Sequence, residues 1–76
     1  MATFTVRQGK RYRATIALAG IERWASNEMI AERLRKAGFT EVTVTGLGSS
    51  RTAEGLWPGP DATAELPPQV SEVMEI

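Results

Sequence analysis

The stretch Arg11-Tyr12-Arg13-Ala14-Thr15-Ile16-Ala17-Leu18 alternates in polarity. Tyr12, Ala14, Ile16 and Leu18 fall on one side, and Arg11, Arg13, Thr15 and Ala17 on the other. That period of two marks a strand with one buried face. From Asn27 to Ala37 the period changes. Met29, Ile30, Arg33, Leu34 and Ala37 share one side of a helix, with Glu28, Glu32, Arg35 and Lys36 largely opposite. Ser26 or Asn27 supplies the side-chain oxygen that caps the first turn. Gly38 sits where a left-handed residue closes a helix, and Phe39 follows as the apolar contact of such an end. The segment Glu41-Val42-Thr43-Val44-Thr45 is again strand-like, with Val42 and Val44 facing inward. Strand, helix and strand in this order predict a right-handed β-α-β crossover. Its two strands should be parallel, either adjacent or with one strand between them.

Outward from this unit, Thr3-Phe4-Thr5-Val6-Arg7 is a short strand, and Gln8-Gly9-Lys10 reads as a turn with positive φ at Gly9. An opening β-hairpin is therefore expected. On the other side, Gly46-Leu47-Gly48-Ser49-Ser50 turns the chain, Arg51–Trp57 returns as a partner strand, and Pro58-Gly59-Pro60-Asp61 stops it. Ala62–Leu66 suits a short strand ended by Pro67-Pro68. Residues 67–76 fit two patterns: Val70, Val73 and Met74 share a helical side, while Val70, Met74 and Ile76 share a strand face. The expected fold is a single small α+β domain over residues 1–76. It is a mainly antiparallel sheet with one amphipathic helix packed on one face, in the order β-β-α-β-β. The strand–helix–strand pattern is similar to ferredoxin-like and other split β-α-β modules. The strand, loop and Ala/Leu-containing helix ending at Gly38 are also loosely similar to the first half of peptidoglycan-binding SPOR domains.

The chain has 76 residues, and a domain of this size buries only ~60% of the surface that its unfolded chain exposes. It contains no cysteine and no histidine. Disulfides, Cys/His zinc sites, thiol redox chemistry and His-dependent nucleophilic catalysis therefore need residues this chain lacks. The carboxylates, lysines, serines and single tyrosine that remain normally work in a deeper cleft than so short a chain encloses. A non-enzymatic protein without metal or cofactor is expected. No apolar run reaches signal-peptide or membrane-span length, which suits a cytoplasmic protein without a membrane partner.

Net charge is zero, but its distribution is uneven. Residues 1–40 carry eight basic and three acidic side chains, a net of +5, and residues 41–76 carry one basic and six acidic, a net of −5. Arg7, Lys10, Arg11 and Arg13 would line the opening hairpin and offer an anion-binding surface, with Tyr12 as a stacking group. The opposing expectation is that acidic strands from the second half pair beside these cations and neutralise them. Gly46–Arg51 lacks the third glycine and the Lys-Ser/Thr pair of a phosphate loop, so a hairpin turn is expected there. Glu28 and Glu32 lie one turn apart on the solvated helix face, a poor setting for acid–base work. Trp24 and Trp57 both sit at element ends, where they cap the core or anchor an interface. Pro58-Gly59-Pro60 would hold Trp57 on a rigid loop, which favours Trp57 as the anchor. The expected function is an interaction module that binds a protein partner or a second copy of itself. The alternative is nucleic-acid binding through the basic hairpin.

Overall fold

The computed structural model describes residues 3–76. Strands β1 (Thr3–Val6) and β2 (Lys10–Ala17) are followed by a 3-10 turn (Gly20–Trp24) and helix α1 (Asn27–Ala37). Strands β3 (Thr40–Leu47), β4 (Ser50–Trp57), β5 (Ala62–Glu65) and β6 (Val70–Glu75) complete the chain. The main sheet has the order β3-β4-β2-β6, with every neighbouring pair antiparallel. Because β4 runs against both β2 and β3, those two strands are parallel to each other with β4 between them. The split β-α-β pattern read from the period change is present, as one helix on antiparallel sheet.

The helix ends follow from local chemistry. The Ser26 hydroxyl accepts a hydrogen bond from the Met29 amide at 3.1 Å, so Ser26 is the cap. At the other end Gly38 has φ 118°, and its amide donates to the Arg35 carbonyl at 3.0 Å. The Phe39 amide donates back to the Leu34 carbonyl at 3.1 Å, which completes a Schellman end. Tyr12, Ile16, Leu18, Ala31 and Ala53 are buried, and Ile30, Leu34, Val44 and Val70 pack against the Ile16–Leu18–Ala53 centre.

One expectation changes, and one open reading closes. The opening hairpin does not form: β1 pairs with β5, from Thr3↔Glu65 to Val6↔Ala62, as a separate two-stranded ribbon. The chain does turn at Gly9 (φ 79°), but both edges of β2 are taken by β4 and β6. The register with β4 runs the whole length of β2, from Lys10↔Trp57 to Ala17↔Ser50. A four-residue strand offers fewer ladder bonds than that eight-residue partner. β1 instead makes side-chain contacts with β2. Phe4 stacks edge-on against Tyr12 at 5.3 Å, and the Arg7 amide donates to the Tyr12 hydroxyl at 2.6 Å.

The tail resolves as strand. A register shift opposite Thr15 and Ile16 leaves Ser71 as an extra residue, since Ile16 faces Val70 and Thr15 faces Glu72. The bulge puts Val70 and Val73 on the inner face and leaves Met74 and Ile76 exposed, which neither simple period anticipates.

A Cβ on Gly38 would lie 2.9 and 3.0 Å from two ring carbons of Trp57, at a φ that L-residues rarely adopt. Gly38→Val is expected to cost at least about 1 kcal/mol in urea denaturation. An unchanged midpoint would show that this helix end contributes nothing.

Candidate interaction site

The crossover from β2 to α1 is built on a buried arginine. Arg51, the one basic residue of the acidic half, opens β4 and is only 4% exposed. Its Nη2 donates to the Arg23 carbonyl at 2.9 Å. Its Nη1 donates to the Ala25 carbonyl and to Asn27 Oδ1, each at 2.8 Å, and its Nε to the Gly48 carbonyl at 3.1 Å. The Arg23 and Ala25 carbonyls flank Trp24, so the guanidinium fixes the backbone on both sides of that residue. Within the turn, the Ala19 amide donates to the Glu22 carboxylate at 3.2 Å, and Arg23 Nε donates to the Gly20 carbonyl at 3.2 Å.

On this anchored turn the Trp24 ring is 85% exposed and Ile21 is 88% exposed. Met29, in the first turn of α1, is 61% exposed beside them. The three side chains rim a groove of about 510 Å³. Its floor comes from Ile16, Leu18 and Val70, and its helix wall from Ile30, Arg33 and Leu34. A second cavity of about 330 Å³ lies alongside, lined by Phe4 and Val6 of the ribbon, Tyr12 and Val73 of the sheet, and Trp57. Arg33, Leu34, Pro67 and Val70 border both spaces. Across the groove mouth, Gln69 Nε2 donates to Glu22 Oε2 at 2.8 Å. The Gln69 amide, and then the Ala19 N–H, hold the Glu22 carboxyl below the ordinary glutamate range.

The residues singled out from the sequence are distributed differently from the expectation. Trp57 is half-buried: its ring packs edge-on against Phe39 at 5.0 Å, and its Nε1 donates to the Pro60 carbonyl at 2.8 Å. The Pro-Gly-Pro loop thus holds Trp57 inward as a wall, and Trp24 is the outward-facing ring. Arg11 pairs with Glu41 at 3.5 Å and Arg13 with Glu54 at 3.2 Å. Acidic strands of the second half do sit beside these two cations. Arg7 and Lys10 lie exposed at the turn after β1 and make no ion pair among the described residues. With β1 leaving for β5, the four cations do not share one hairpin. The Gly46–Arg51 loop is the β3–β4 turn, with Gly46 at φ 104° and Gly48 at φ 65°. Glu28 and Glu32 both bind the Arg35 guanidinium, at 2.7 and 3.3 Å. No group of three or more potential metal-ligating side chains occurs among the described residues.

The meeting of Ile21, Trp24 and Met29 was not visible from the sequence, because Ile21 and Trp24 lie in a connection without a strand or α-helix period. The role of Arg51 had only one sequence signal, its isolation among acidic residues. No protein-family model, curated protein or solved structure matches the chain.

Two predictions follow from this geometry. Arg51→Met should lower stability by about 2–4 kcal/mol, because four acceptors lose a charged donor. It should also speed amide exchange at Ala25. Arg51→Lys should recover little, since one ammonium cannot span that fork. If both variants melt like the wild type, the anchor is dispensable.

The Glu22 carboxyl should titrate below an ordinary glutamate by NMR and rise toward it in Gln69→Ala. A lowered folded value means that the contact stabilises the fold above the ordinary glutamate value. That contribution is lost as pH falls through the lower folded value. An unshifted Glu22 in the wild type would refute the Gln69 contact.

Proposed function

We propose that the protein is a non-enzymatic interaction module that binds another protein through the Ile21–Trp24–Met29 rim and the groove behind it. One observation carries this reading: a tryptophan ring 85% exposed on a backbone whose two flanking carbonyls are bonded to a buried arginine. Leaving so large an apolar side chain in water forgoes its burial energy. Fixing its backbone lowers the ordering cost that a partner would otherwise have to offset. Tryptophan is also enriched among the residues that dominate interface energies. The groove floor supplies apolar surface for the partner's side chains.

Nucleic-acid binding has less support. Arg11 and Arg13 are engaged by Glu41 and Glu54, the net charge is zero, and Arg7 and Lys10 alone release few counterions.

Random peptides displayed on phage and selected on the wild-type protein provide the test, with rescreening on an Ile21→Ser, Trp24→Ser double variant. Both side chains are exposed, so the variant keeps its fold. Selected peptides should bind the double variant at least about tenfold more weakly. Peptides that bind both proteins equally, or no enrichment at all, would remove the basis for this reading.

A further inference from the structure

We infer that the cavity enclosed by the β1–β5 ribbon, the sheet and the end of α1 binds a small, neutral aromatic molecule of about two fused rings. The inference is independent of the protein-binding reading, because Ile21, Trp24 and Met29 do not border this cavity.

The first argument is the lining. The chain has five aromatic residues, and four of them, Phe4, Tyr12, Phe39 and Trp57, border this one space. They stand as two edge-on pairs, Phe4 with Tyr12 at 5.3 Å and Phe39 with Trp57 at 5.0 Å. On the sheet, Ala14 lies opposite Ala53, and Gly55 opposite Tyr12. Alanine and glycine leave open the space that larger residues would fill. Around it Phe4, Phe39, Trp57, Leu34 and Val73 stay only half-buried.

The second argument is size. The cavity holds about 330 Å³. A dry apolar cavity of ~150 Å³ takes up benzene, so this one suits a molecule about twice that size. An apolar space left empty loses packing contacts and destabilises the fold in proportion to its volume. The ribbon that covers it has little else to pack on. Its two strands pack chiefly on each other, and a two-stranded ribbon is marginal in water by itself. Phe4 and the Arg7 amide join it to Tyr12, while Val6 and Leu66 border the cavity half-buried. A ligand would supply the apolar contacts that the ribbon lacks.

The third argument is polarity. The Tyr12 hydroxyl accepts the Arg7 amide, Trp57 Nε1 donates to the Pro60 carbonyl, and the Glu54 carboxylate is bonded to Arg13. The other charged side chains at the border, Arg33 and Glu65, are exposed and opposite in sign, so they select neither an anion nor a cation. No buried side-chain polar atom among the described residues lacks a partner. A charged ligand would therefore lose its hydration without gaining a bond inside. Edge-on and stacked contacts with four rings favour an aromatic ligand over a saturated one.

The test is an NMR titration of the full chain with naphthalene. Decalin, a saturated molecule of the same two-ring outline, and naphthalene-2-carboxylate serve as comparisons. Naphthalene should give saturable shifts at the Val6, Leu66 and Val73 methyls and slow amide exchange in β1 and β5. It should bind at least about threefold more tightly than decalin and at least about tenfold more tightly than the carboxylate. Ala14→Leu from the sheet and Ala37→Leu from the helix each add a side chain at the cavity wall, and each should weaken naphthalene at least about tenfold. Leu47→Ser, exposed at the β3–β4 turn, should leave its binding unchanged. No saturable shift, or shifts centred on Ile21 and Trp24, would overturn the site. Undiminished binding in both filling variants, or an equal loss in Leu47→Ser, would also overturn it. Decalin binding as tightly as naphthalene would overturn the aromatic preference, and the carboxylate binding as tightly would overturn the neutral one.

Discussion

The Arg51 guanidinium is a buried charge whose hydrogen-bond acceptors are all neutral. Three are backbone carbonyls and one is an amide oxygen, drawn from the β3–β4 turn, the 3-10 turn and the start of α1. Removing a cation from water costs several kcal/mol, and the charge-assisted bonds offset that cost only if all of them form together. They do form, and no buried side-chain polar atom among the described residues lacks a partner. Asn27 reinforces the junction by donating to the Gly46 carbonyl at 3.2 Å. The Arg51 guanidinium therefore ties the connection that carries the chain from β2 over to α1 to the β3–β4 turn. The orientation of Trp24 depends on it.

The rest of the fold is lightly covered. No large side chain among the described residues is fully enclosed, and the buried apolar set includes two alanines among its five members. Small residues of β4 set the close packing. A Cβ on Gly55 would lie 3.4 Å from Phe39, so the glycine lets the post-helix aromatic sit against the sheet. The β1–β5 ribbon covers one end of the inner face through Phe4 on Tyr12, and α1 covers the β3 side. Between them Val70 and Val73 of β6 remain half-buried beside the enclosed Ile16 and Leu18. One helix and one short ribbon are too little to cover four strands, and the groove is the remainder.

Much of this was legible before any tertiary contact was known. The period change between Tyr12–Leu18 and Asn27–Ala37, the serine cap, the closing glycine and the valine alternation of β3 all came through. The partner of β1 did not. Gly9 sets the direction of a turn, but competition for the edges of β2 sets who pairs with whom. The bulge at Ser71 escaped as well, since an extra residue changes which side chains face inward without altering composition. For the candidate site, both tryptophans were noted, but which of them is exposed was not: Trp24 faces outward and Trp57 is half-buried. Proline and glycine around Trp57 do make a rigid loop, yet that loop turns the ring inward onto Phe39.

What the sequence by itself determined was the local order up to residue 66: the strand periods of β2, β3 and β4, and where the helix begins and ends. These depend on residues within a few positions of each other, whose spacing decides which backbone geometry can bury one face. Strand partners, side-chain exposure and the Arg51 anchor were decided only by the tertiary structure. They depend on residues far apart in the chain, such as Val6 beside Ala62 and Arg51 beneath Arg23. No local period encodes that proximity, because it arises only when the segments compete for the same edges and the same buried space.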